Sequence, residues 1–255
     1  MYDYKFTHYL LDLKVKKCSE LIYLIIKEKE HGYDILHNYL RSHKNKIGSK
    51  CSRGYTPLMI AIIVSITSND LSTIKLLLDY NANISTTNCD DLNSLEIAIK
   101  YSSYPLTFDI VNLLLTYHTD KITQDLKNDA LFKVVAYSNE NAFMIFKLLI
   151  DNGADINAKT TRGTILTNAL CYNNYRATKL LINLGADVNG SLSGTFKLNA
   201  LYCANYYLTN NFLEIIKLLI NNGADVNDKC NYIRDNLLMS AMTQPEKYDL
   251  DTIQL

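Results

Sequence analysis

The side chains that could do chemistry in this chain are five histidines, six cysteines and a few clustered carboxylates. The histidines are His8, His31, His37, His43 and His118. His31 and His37 stand six positions apart, which places them on different faces of a helix, so they do not form the i, i+4 pair that holds a metal. Asp90 and Asp91 are adjacent carboxylates. They lie in the run Asn88-Cys89-Asp90-Asp91-Leu92-Asn93, which has the composition of a solvated turn. Cys18, Cys51, Cys89, Cys171, Cys203 and Cys230 contain no C-x-x-C pair and are scattered, the pattern of reduced intracellular thiols. No phosphate-binding loop, dinucleotide fingerprint, H-E-x-x-H, calcium loop or nucleophile elbow is present. The sequence therefore assigns no catalytic, cofactor-binding or metal-ligating residue and points away from an enzyme.

One set of carboxylates does recur. Asp155, Asp187 and Asp225 hold the same place in the decapeptides LLIDNGADIN (148–157), LLINLGADVN (180–189) and LLINNGADVN (218–227). Recurrence at a fixed structural place argues for turn-making, with the short carboxylate bonding local backbone, and against catalysis. Steps of 32 and 38 residues between the blocks mean that one supersecondary unit is stacked. A unit that small cannot bury its own apolar face, so its neighbours must cover it. The elements that position every side chain here are thus short helices in a row, and they offer a long surface in place of a closed pocket.

The bulk numbers agree. Hydrophobic content of 48% with 3 prolines and 9 glycines excludes a mostly disordered chain. The 26 basic and 26 acidic residues cancel, which gives little long-range pull toward nucleic acid or an anionic membrane. The basic run Lys44, Lys46, Lys50, Arg53 reads as a solvated loop. No apolar stretch is long enough to span a bilayer, and the N-terminal residues lack the pattern of a signal peptide.

Upstream of the leucine blocks stands YTPLMIAI (55–62). Together with the three GAD(I/V)N blocks it resembles the ankyrin repeat, whose pattern is a TPLHLAA-type inner helix, an outer helix ending in a KLLL-type block, and a GADVN hairpin base. The resemblance implies an all-α solenoid of helix–turn–helix units joined by β-hairpin-like loops. With Thr56 as origin, equivalent starts fall at Ser19, Asn93, Asp129, Thr164, Asn199 and Asn236, each a residue type suited to a helix N-cap. Residues 1–18 then form a capping segment and 19–255 the array. DILHNYLRSHKNKI (34–47) aligns without gaps to DIVNLLLTYHTDKI (109–122), which adds a first unit. DLDTIQL (249–255) aligns with DLSTIKL (70–76) and stops, so the last unit is expected to be truncated.

Helix stops are expected at Gly153, Gly185 and Gly223, at Asn81, and at His43 and His118, all of which fill the left-handed stop position. Between start and leucine block most units carry three or four extra residues, about one helical turn, so longer helices are expected there. The family histidine is replaced by Met59, Glu96, Phe132, Thr167, Tyr202 and Met239, and its hydrogen bonds to the neighbouring cap residue are expected to be lost. The resemblance further implies that Asn157, Asn189 and Asn227 match an asparagine that an oxygenase can hydroxylate, with this chain as substrate.

Ankyrin partners usually lie against hairpin tips and exposed inner-helix positions. Eight residues after four consecutive starts stand Tyr101, Tyr137, Tyr172 and Tyr207, with Tyr206 beside the last. Tyrosine suits an interface because it carries large area and a polar tip on few rotatable bonds. These rings either line a groove or pack between helices, and the sequence leaves both open. The tips add Arg53 and Tyr55, Lys159 and Arg162, Phe196 and Lys197, and Tyr232 and Arg234, a mixture that suits an acidic protein patch better than DNA.

The function expected is that of a non-catalytic protein–protein interaction scaffold, monomeric, intracellular and cytoplasmic, without cofactor, nucleic acid or membrane. The alternatives are a recruiting adaptor of ubiquitin-ligase type and a truncated product without a dedicated partner. The degenerate, asparagine- and isoleucine-rich repeats resemble ankyrin repeat proteins of mimivirus-like large DNA viruses of amoebae, which would make the partner a host protein and the location host cytoplasm.

Overall fold

A computed structural model describes residues 20–27, 33–117, 119–160, 163–191, 199–208 and 211–227. The capping segment, the start at Ser19, His118 and the whole seventh unit lie outside them. The chain divides into two compact units, Met1–Lys121 and Ile122–Leu255.

In the first unit the helices are α1 (Glu20–Ile26), α2 (Tyr33–Ser42), α3 (Pro57–Ser68), α4 (Ser72–Asp79), α5 (Ser94–Lys100) and α6 (Thr107–Tyr117). α1, α3 and α5 stack side by side as an inner layer, and α2, α4 and α6 each pack behind their own partner. Leu58 to Ile63 of α3 are all 1% exposed or less. A helix apolar on every side must be covered on every side. α1 and α5 flank α3, and α4 closes its back.

The second unit repeats the plan with α7 (Gln124–Val134), α8 (Glu140–Asp151), α9 (Ile165–Cys171), α10 (Tyr175–Asn183), α11 (Ala200–Tyr207) and α12 (Phe212–Asn221). α7, α9 and α11 form the inner layer and α8, α10 and α12 the outer one. A two-stranded hairpin, β1 (Lys159–Thr160) against β2 (Gly163–Thr164), leads into α9. Ser191 and Asn199 bridge in the same sense ahead of α11.

The expected caps form at Thr56, Asn93, Thr164 and Asn199, whose side chains accept from the N–H groups of Met59, Glu96, Thr167 and Tyr202 at 3.3, 3.0, 3.2 and 2.8 Å. Asp129 is not a cap. α7 begins six residues earlier, capped by Thr123, whose hydroxyl accepts from Leu126 N at 3.2 Å. Gln124, Leu126 and Lys127 are good helix formers and Asp125 suits a first turn, so the helix runs back to Thr123, which is able to cap it.

The extra residues do become helix in α3 and α8, of 12 residues each, against 7 in α9 and 9 in α10. They do not in the third repeat, where α5 has only 7 residues and 101–106 form turns. Pro105 disfavours helical backbone at Tyr104 and brings no N–H of its own. The Thr107 hydroxyl then donates to Tyr101 O at 2.7 Å and secures the turn.

Gly153, Gly185, Gly223 and Asn81 adopt positive φ of 82, 85, 86 and 64°, as helix stops. His43 does not: its φ is −127°. Its ring stacks on Tyr39 at 4.3 Å between centroids, and Nδ1 lies 3.1 Å from Tyr39 O, so the side chain holds the helix end that a left-handed residue would otherwise turn. A 3-10 turn follows at Lys44–Lys46 and another at Thr119–Lys121, at matching places of the two aligned segments.

The bonds of the missing histidine are in part rebuilt. The Glu96 carboxylate accepts from Asn93 N at 2.9 Å and closes a capping box. The Thr167 hydroxyl lies 3.0 Å from Thr164 Oγ1 and 2.9 Å from Thr164 O. Any third helical residue that reaches back to the cap can serve.

Candidate partner-binding surface

The hairpin bases come first, because they set the spacing of everything above them. Asp155, Asp187 and Asp225 each accept from the N–H two residues on, of Asn157, Asn189 and Asn227, at 2.9, 3.0 and 2.9 Å. The side chains of Asn128, Asn157 and Asn189 then accept from Asp155 N, Asp187 N and Asp225 N at 2.8, 2.7 and 2.8 Å. Asn157 and Asn189 thereby tie successive repeats of the second unit, and Asn128 ties α7 to the base that follows α8. Asn174 adds a second tie: its amide donates to Val135 O and Tyr137 O at 2.9 and 3.0 Å, while its oxygen caps α10 through Ala177 N. Asn128 stands at no recurring position, whereas Asn174 lies ten residues after Thr164 as Asn139, the cap of α8, lies ten after Asp129, a recurrence that could have marked it.

On this frame stand the tyrosines. In the second unit Tyr172 ends α9 and is 56% exposed, and Tyr206 on α11 is 67% exposed. The Tyr206 ring lies parallel to Tyr202, 5.9 Å between centroids at 9°, and edge-on to Tyr207 at 4.9 Å. Tyr202 was expected only as a histidine replacement, yet its i, i+4 spacing to Tyr206 is what pairs the two rings. Tyr137 and Tyr207 are half-buried. Burial, and then the nearby Tyr172, push the Tyr137 phenol above the usual tyrosine range. Burial acts first on Tyr207 too, followed by Cys171, Cys203 and Tyr206. In the first unit Tyr101 follows α5 and is half-buried, edge-on to Tyr104 at 6.4 Å. The column thus has exposed members and packed ones.

The tips differ in what they present. Arg53 and Lys159 are exposed. Tyr55 is 3% exposed and offers no area to a partner; it sits under its tip, where its carbonyl accepts from Cys51 N. Arg162, Phe196, Lys197, Tyr232 and Arg234 lie outside the described residues. Asp90 and Asp91 are exposed on a turn held by the Asn88 side chain, which accepts from Asp90 N and Leu92 N at 2.9 and 3.0 Å.

The opposite, outer face of the second unit is bound to itself. Arg176 pairs with Glu140 and lies 4.1 Å from the centre of the Phe143 ring, and Lys179 pairs with Glu214 at 2.6 Å. Among the described residues no group of three or more His, Cys, Asp or Glu could hold a metal ion, and no helix is long and apolar enough to cross a membrane.

A family model for ankyrin repeats in three copies matches residues 21–125, 104–191 and 131–230. The chain belongs to the ankyrin repeat family. It is similar to ankyrin repeat protein L86 of Acanthamoeba polyphaga mimivirus, 30% identical over 177 residues, which are 63% of this chain and 31% of that protein. It is also similar to ankyrin repeat protein L289 of the same virus, 31% identical over 106 residues, 40% of this chain and 19% of that one. The alignments span less than a third of either viral relative. Among solved structures, the ankyrin repeat domain of Bcl-3, a member of the IkappaB family, superposes with a TM-score of 0.70 at 22% identity, over 92% of this chain and 96% of that one. The human ASB11 ankyrin repeat domain gives 0.59 at 18%, over 86% and 90%. Both show the shared fold. Ankyrin domains are in general protein–protein interaction modules.

Proposed function

We propose that this ankyrin chain is a non-catalytic scaffold that binds a protein partner across the tyrosine-bearing ends of α9 and α11. One observation carries the reading: Tyr172 and Tyr206 are more than half exposed on neighbouring inner helices, although large aromatic rings favour burial. The Tyr206 ring packs against Tyr202 and Tyr207, so a partner covering the end of α11 would meet a cluster of aromatic rings with hydroxyl tips. Half-buried Tyr137 lies near exposed Tyr172 and acts as its support, while Tyr101 stays half-buried against Tyr104 in the first unit. Exposed Lys159 and Arg53 add positive tips suited to an acidic patch on the partner. A formal charge of zero argues against nucleic acid. The likeness to mimivirus proteins supports a host protein as partner and the amoebal cytoplasm as the location.

Capture from amoebal cytosol, with wild type beside a Tyr172→Ala/Tyr206→Ala variant of unchanged helix content, tests the proposal. The partner retained by wild type is expected to bind the variant at least about tenfold more weakly. Equal retention would move the binding surface elsewhere. No specific partner for wild type would favour a product without one.

A further inference from the structure

Cys171 at the end of α9 and Cys203 in α11 were expected to be unrelated thiols, 32 residues apart. Their sulfurs lie 3.7 Å from each other, within hydrogen-bond distance. Cys203 is fully buried and Cys171 is partly exposed. Cys51 is buried and Cys89 exposed, and both are free thiols. Closing the gap to a disulfide of about 2.05 Å asks each sulfur to move roughly 0.8 Å, the scale of a small side-chain rotation. The small neighbours Ala169 and Ala204, both 0% exposed, let α9 and α11 pack closely around the pair.

We propose that Cys171 and Cys203 are a peroxide-responsive dithiol, which oxidises to a disulfide that staples two neighbouring repeats beside the tyrosine patch. The division of labour follows from access and charge. Cys171 is reachable by a small oxidant. The hydrogen bond shared with the Cys203 thiol holds its pKa below that of an ordinary cysteine, partly opposed by burial, and so favours the thiolate. That thiolate attacks one oxygen of hydrogen peroxide: an S–O bond forms, the O–O bond breaks, and the departing hydroxide takes a proton to become water. Cys203 then gives up its proton and attacks the Cys171 sulfur. The S–S bond forms, the S–O bond breaks, and the leaving hydroxide takes that proton as a second water. Two thiols have lost two electrons and one peroxide has gained them. The burial of Cys203 keeps it from direct oxidation and leaves it as the resolving thiol. Because Tyr172 follows Cys171 in the chain and the Tyr207 phenol responds to the charge of both cysteines, the oxidation state is set inside the surface proposed for the partner.

The test treats the full reduced chain with one equivalent of hydrogen peroxide, blocks remaining thiols by alkylation, and maps the peptides by mass spectrometry. A Cys171–Cys203 cross-link that dithiothreitol removes is expected, formed at least ~10-fold faster in the folded chain than in urea, since the fold supplies the local concentration. Cys203→Ser should stop at a Cys171 sulfenic acid that a dione probe captures, and Cys171→Ser should give neither product. The wild-type result decides by itself. Over-oxidation of Cys171 with Cys203 still alkylated, no reaction at Cys171, or a cross-link no faster than in urea would each overturn the proposal. None of these results depends on a partner, so the scaffold reading stands or falls separately.

Discussion

Asn174 concentrates more bonds than any other side chain of the inter-repeat ties. It is 7% exposed, caps α10, and satisfies two carbonyls at the end of α7. Asn174→Ala removes the cap and takes the donor from the buried Val135 carbonyl and the part-buried Tyr137 carbonyl. It is expected to lower stability by about 2–3 kcal/mol in urea unfolding. Asn174→Asp should not restore it, since a carboxylate caps the helix but faces the two carbonyls without a proton to give. Recovery by aspartate would mean that the cap alone matters. Three surface carboxyls behave differently. The Ser72 hydroxyl and N–H hold Asp70 below the usual carboxylate range, Arg176 does the same for Glu140, and Lys179 with Tyr175 for Glu214. A carboxyl with a lowered folded pKa binds fewer protons folded than unfolded. Its contribution is therefore complete above the unfolded value near ~4 and is lost as pH falls through the folded one. The urea midpoint should fall between about pH 6 and pH 3, and fall less in Asp70→Asn/Glu140→Gln/Glu214→Gln. An identical fall in that variant would place the acid sensitivity elsewhere.

At the scale of elements, a hairpin tip compared with a helix stop tests how tightly neighbouring repeats are fitted. Gly54 and Gly153 both adopt positive φ, 76 and 82°. A Cβ on Gly153 would meet open space, whereas one on Gly54 would lie 3.0 Å from Cys89 N and 3.1 Å from Asn88 Cα of the next tip. Gly153→Ala should cost about 1 kcal/mol from backbone strain alone. Gly54→Ala should cost about 2–3 kcal/mol, because fixed backbone cannot move aside. Equal losses in urea unfolding would show that the tips give way. The same elements show what the sequence disclosed. Repeat identity, four of the caps and the glycine stops were legible, because each rests on a local residue type with one physical job. The start of α7 was not, since Thr123 lies outside the repeat spacing that favoured Asp129. The short α5 was readable only from Pro105, a single residue weighed against a count of extra positions. His43 failed as a helix stop because stacking on Tyr39, a neighbour one turn away, outweighed its backbone preference. The exposed and packed tyrosines could not be separated at all, because exposure depends on which helix lies beside each ring, and the sequence names only the ring.

At the scale of the molecule, within each of the two units the described repeats borrow their core from their neighbours. Inner helices are covered by inner helices, and the outer face of the second unit is tied through Arg176–Glu140 and Lys179–Glu214. The outer helices therefore spend their charged groups on one another, while the ends of α9 and α11 leave aromatic surface uncovered. That contrast is the reason to place the partner on the inner side. Hydrogen–deuterium exchange of the chain alone and in complex with the captured partner measures it directly. New protection is expected in the segments that carry Tyr172 and Tyr202–Tyr207, with α8, α10 and α12 unchanged. Protection confined to α8, α10 and α12 would contradict it.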